Sequence, residues 1–176
     1  MRQVAVIAGL IAAGAVAWVA RSIFAAGQEG SPGFIGPGVL IADLNLALQL
    51  LLVAGLTVGA RLARKGRIEA HRVNQTIWVL VNASLVLFIM WGSMADVRIE
   101  SAADLAPIRV WVTWLHAVLG SLTVIGGLWL ILQMNDILPA SWHIRAWKNL
   151  MRATLAGYWL VAALGLATYV IWYPAA

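Results

Sequence analysis

"IRVWVTWLHAVLGSLTVIGGLWLILQM", residues 108–134, holds one arginine next to its start, one histidine, and no other ionisable side chain. About 20 consecutive apolar residues are enough to cross the hydrocarbon core of a bilayer as a helix. Lipid offers the backbone no hydrogen bonds, so a span of this kind must satisfy its own amides, as a helix does. This stretch therefore sets the fold class: an all-α integral membrane protein. Its length predicts a tilted span.

Four more runs read the same way, at 3–25, 39–62, 74–95 and 150–173. The composition agrees. The chain of 176 residues is 62% hydrophobic and 11% charged, with a mean hydropathy of +0.88; a soluble domain of this size would carry far more charge. Its 10 tryptophans suit the headgroup zone. With no cysteine, disulfides, iron–sulfur clusters, covalently attached c-type haem and thiolate copper sites are excluded. The net charge of +5 is not a nucleic-acid signal, because nearly all of the basic residues sit in short loops beside apolar spans. The first run, with "MRQ" before it and "AVA" within it, has a secretory-signal flavour. Its apolar stretch exceeds a normal signal core, and we read it as a retained first helix.

The loops set an expected orientation through their Lys and Arg bias. With the N-terminus inside, Arg2, Arg61, Arg64, Lys65, Arg67, Arg72, Arg145, Lys148 and Arg152 lie inside, against Arg21, Arg98 and Arg109 outside. The expectation is an N-terminus inside and a C-terminus outside. "GQEGSPGFIGPG" between the first two spans is a loop by its Gly and Pro content. Pro107 marks a helix start, and Ser141 could cap a short interfacial helix between the last two spans.

Polar side chains inside the spans are expensive in lipid and hence candidates for function, although interhelical glue is the commoner use. In the second span Asn45 and Gln49 share a face, whereas Asp43 points elsewhere near the outer surface. Gly55 and Gly59 form a small-residue pair suited to close helix packing. The most polar stretch, "ARLARKGRIEAHRVNQ" (residues 60–75), holds five basic residues and His71. If the third helix starts at or just before His71, then His71, Gln75, Asn82 and Ser93 fall on one stripe at 100° per residue, facing the bundle interior. If it starts later, His71 is a solvated loop residue beside Arg72. In the fourth span His116 is followed on its face by Gly120, Thr123 and Gly127, a surface for a flat ligand or for a neighbouring helix, with Asn45 and Gln49 at similar depth. In the fifth, Tyr158, Ala162, Gly165 and Tyr169 lie on one side, and Trp172 and Tyr173 anchor the outer interface. His143, flanked by Trp142 and Trp147, lies at the inner surface like His71. The two could grip one haem or metal, with His116 too far away to join them unless the fourth helix is strongly tilted. No nucleophile–base pair, phosphate loop or paired carboxylates occur, so nothing points to an enzyme.

The order of "ARKGRIEAHR", "VTWLHAVLG" and "HIRAWKNLMRATLAGYWLVAALGLATYVIWY", with "LN" opening the second span, resembles the CtaM/YozB-type family of small bacterial polytopic membrane proteins. The likeness covers roughly residues 40 to 173. It implies a four-helix core (38–176), preceded here by an added N-terminal helix and outer loop (1–37), in the bacterial inner membrane. It further implies an accessory or assembly role in a respiratory electron-transfer complex of haem–copper oxidase type, with other integral membrane subunits as partners. His71, His116 and His143 would be the cofactor-binding positions, supported by Arg72 and Tyr169, for haem b or copper, or for no cofactor at all. A structural subunit without a cofactor and a b-type cytochrome are the alternatives. Two features depart from the pattern: the added helix, and "FIMWGSM" at the end of the third span, where relatives place Tyr or His.

Overall fold

The computed structural model describes residues 2–91, 97, 99 and 106–174. Among these residues five helices are long and apolar enough to cross a membrane: α1 (Arg2–Ala25), α2 (Leu40–Arg64), α3 (Ile68–Met90), α4 (Ile108–Met134) and α5 (Trp147–Trp172). This is the build of a multi-pass helical membrane protein. Pro107 precedes the first residue of α4, as expected. Ser141 caps nothing: it lies inside a single 3₁₀ turn, Ala140–Trp142, that follows Pro139.

The third span begins at Ile68, six residues before the apolar run expected to open it. The cause is the turn that precedes it. Gly66 adopts a left-handed conformation, φ 74°, which a glycine enters at no steric cost. The amide of Gly66 donates to Ala63 O and that of Arg67 to Leu62 O, the paired bonds that close a helix C-terminus. The chain is thereby reversed within a few residues, and α3 starts at once, polar side chains included.

Helices α2, α3, α4 and α5 pack as a ring, each touching the next, and α1 lies against the outside of α3. One end of the bundle carries Arg2, the α2–α3 turn and the α4–α5 loop, and we call it the basic end. Arg2 pairs there with Asp136. Trp172 ends α5 at the opposite end.

Lipid is as apolar as leucine, so burial of aliphatic side chains does little to hold such helices together; close packing and hydrogen bonds do it instead. The outer face of α4 shows this, with Trp111, Leu115, Val118, Leu122 and Ile125 all exposed at helical spacing. Inside the ring, Leu52, Val53, Leu56, Val79, Ile131, Tyr158 and Ala162 form the main core. A smaller cluster of Ala20, Leu85 and Ile89 joins α1 to α3, helped by the Ser84 hydroxyl, which donates to Ala13 O at 2.7 Å. The last turn of α3, Val86–Met90, is π-helical. A π turn breaks the 100° step, so the polar stripe cannot be extrapolated past it. Ser93 lies outside the described residues.

Candidate functional site

The inner seam between α2 and α3 places the first candidate. Gly55 and Gly59 leave room for α3: a Cβ on Gly55 would collide with the Trp78 indole, and one on Gly59 with the amides of Asn74 and Gln75. Through this gap three side chains of α3 reach backbone carbonyls of α2. His71 Nδ1 bonds Gly59 O at 2.8 Å, Asn74 Nδ2 donates to Gly55 O at 2.9 Å, and Gln75 Nε2 donates to Leu56 O at 3.1 Å. Each carbonyl has a second lone pair beyond its helical bond, so no helical hydrogen bond need be lost.

The early start of α3 decides between the two readings of His71. The residue sits in the first turn, only 3% exposed. A carbonyl can only accept, so Nδ1 carries the proton, and in the neutral ring Nε2 is a bare lone pair. That Nε2 is buried and has no partner. It is an expensive arrangement, since a buried polar atom without a partner costs about 1–3 kcal/mol. His71 lines a cavity of about 310 Å³ at the basic end, together with Arg72, Gln133, Met134, His143 and Met151. His71 and His143 therefore meet at one cavity.

His143 enters it differently. Its Nε2 donates to Leu138 O at 3.1 Å, which turns the ring toward its own loop. That loop is closed by a reciprocal pair between Gln133 and Ile144, at 3.3 and 3.0 Å, and by Trp142 stacked on Trp129 at 6.0 Å. Arg72 does not reach into the cavity as a free cation, because it is paired with Glu69 at 3.0 Å.

His116 stands apart, deeper in the ring. Its Nδ1 donates to Val161 O at 3.1 Å. Its ring and the Gln49 side-chain oxygen both border the notch at Gly165, where a Cβ would lie 3.1 Å from His116 Cε1. Gln49 is buried, but the bond that His116 makes goes to α5 and not to Gln49 or Asn45. Asn45 has its side-chain oxygen buried and unpartnered. The glycine-lined face beyond His116 is filled by α5: a Cβ on Gly127 would come 2.6 Å from the Tyr158 hydroxyl, and one on Gly157 would come 2.7 Å from Thr123 Oγ1. Of the two readings of that face, the neighbouring helix is the one realised. Asn82 reaches the same hydroxyl from α3, at 3.4 Å.

At the opposite end Asp43 lies near the end of the bundle, where the sequence reading put it, but the partners of its carboxylate were not expected. It is fully buried, and its carboxylate accepts from the amides of Phe34 and Ile35, each at 2.5 Å, and from the Tyr169 hydroxyl, also at 2.5 Å. Tyr169 in turn accepts from Gly38 N at 3.2 Å. Successive loop amides converging on a carboxylate form an anion nest, here occupied by the chain's own Asp43. Gly38 is needed for the approach, since a Cβ there would be 2.5 Å from the Tyr169 oxygen. The pattern missed this because the partners are backbone amides of a glycine-rich loop. The one available signal was an aspartate in the first turn of a helix directly behind such a loop.

Taken together, the residues offer one prepared ring nitrogen, not a ligand set. Among the described residues no three of His, Asp and Glu stand close enough to hold a metal ion. A haem between His71 and His143 would have to break the His143–Leu138 bond or use the other ring nitrogen of His143. A haem or copper held by all three histidines does not fit this arrangement. Comparison with known protein families, curated proteins and solved structures finds no match.

Proposed function

We propose that the protein is a small multi-pass accessory or assembly component of a respiratory electron-transfer complex, acting from its basic end. One observation carries the reading. Of the three histidines that bear the resemblance, His71, which follows the basic run, keeps a buried nitrogen without a partner. Such an atom costs stability and does nothing for packing, so a role in holding something is the economical account of it. All three histidines give one ring nitrogen to a backbone carbonyl; only His71 keeps the other one buried without a partner among the described residues, and we read His116 and His143 as structural ties. On the positive-inside rule, the basic end faces the cytoplasm and the Asp43–Tyr169 end faces outward.

The test is a deletion strain, assayed for oxidase activity and for the haem and copper content of the oxidase, alongside co-purification of the tagged protein with oxidase subunits. The expected result is a cofactor-poor oxidase and a shared peak. Normal oxidase content in the deletion, with no co-purification, removes the reading. The b-type cytochrome alternative predicts low-spin haem bands in the purified protein. Given His143's existing bond, we expect none, and an absorption spectrum in detergent decides it.

A further inference from the structure

We propose that the cavity at the basic end binds the head of a neutral membrane amphiphile that carries a hydroxyl group, donated to Nε2 of His71. The argument begins with the lone pair. With Nδ1–H given to Gly59 O at 2.8 Å, the neutral ring presents an acceptor and no donor. The complement of a bare acceptor is an O–H or N–H from outside. None of the described residues supplies one, although His71 is 3% exposed and its Nε2 is buried.

Charge narrows the class. Two guanidinium groups line the cavity, but Arg2 is paired with Asp136 and Arg72 with Glu69. What remains is close to neutral, which gives an anionic head little preference over a neutral one. Size narrows it further. About 310 Å³ lies at the low end of small-molecule pockets, ~300–1,000 Å³, so a single ring or a glycerol fits and a long tail does not. A separate pocket toward Tyr158, which shares Leu130, Met134 and Met151 as walls, measures only about 40 Å³. The tail must therefore leave sideways into lipid, which the cavity's place at the helix ends allows. Two membrane sources share this chemistry: a prenylated hydroquinone and a glycerol-headed lipid. The proposal uses the same cavity as the functional reading above but not the accessory role. A deletion strain with normal oxidase would end that role and leave the binding measurement untouched.

The experiment uses the full-length protein in phosphatidylcholine nanodiscs, whose head groups carry no hydroxyl. Short-tailed prenylated hydroquinone, its oxidised quinone, monoacylglycerol and phosphatidate are each titrated. Saturable binding of the hydroquinone or of monoacylglycerol is expected, and whichever binds identifies the source. The quinone has no O–H to donate and should bind about tenfold more weakly than the hydroquinone, the worth of one hydrogen bond. His71→Ala should weaken binding by about the same factor. Met151→Trp, which fills the cavity and leaves the His71–Gly59 bond alone, should abolish it and guards against a folding defect in the first variant. No saturable binding of either hydroxyl-bearing ligand would mean that only water occupies the cavity, and would overturn the proposal. So would tighter binding of phosphatidate, or binding unchanged in both variants.

Discussion

The Tyr169 hydroxyl stands between two partners, donating to Asp43 and accepting from Gly38 N. Tyr169→Phe should therefore destabilise the protein, because Asp43 Oδ1 and Gly38 N both lose this partner. A lowered unfolding midpoint in detergent, followed by tryptophan fluorescence, would report it; an unchanged midpoint would mean that the clasp is ornamental. Asp43→Asn, which keeps an acceptor oxygen, should cost less than Asp43→Leu in the same assay. Tyr169 was singled out by the sequence as a supporting position, but its partner was not. A carboxylate held by backbone amides leaves no mark in side-chain pattern, because every residue type carries the same amide.

Between α2 and α3 the deciding features are glycines. Gly59→Leu should force α3 away from α2, break the His71 bond and destabilise the protein by about 1–3 kcal/mol, the range for overpacking. Gly14→Leu is the matched control: a Cβ there meets nothing within 4 Å, so its melting curve should overlay that of the parent. Asn74→Ala, which removes a single interhelical bond to Gly55 O, should cost only about 0.6 kcal/mol, the average for such bonds in membranes. Gly55 and Gly59 were legible as a packing pair from their spacing alone. The start of α3 was not, because Ile68–Val73 is too polar to read as a span; the Gly66 turn, not hydropathy, determines where that helix begins. At the other end the π turn at Val86–Met90 breaks the 100° step on which such a stripe is drawn, so spacing along the chain says nothing beyond it.

Across the whole molecule, five spans put the α2–α3 turn and the Gly/Pro-rich loop at opposite ends. The chain has no cysteine of its own, so single replacements test this directly. Ser31→Cys and Lys65→Cys should react with a membrane-impermeant thiol reagent from opposite faces of intact cells or oriented vesicles, with Lys65→Cys protected from outside. Labelling of both from one face would remove the five-span arrangement. The sequence by itself determined the class, the number of spans and the polar residues worth examining, since lipid demands long apolar helices and makes each exception conspicuous. Only the tertiary structure decided which exceptions are ties and which, His71 and Asn45 among them, keep a buried atom without a partner among the described residues. Whether a ring nitrogen is satisfied depends on a carbonyl of another helix, brought near by packing, and that pairing across space has no signature along the chain.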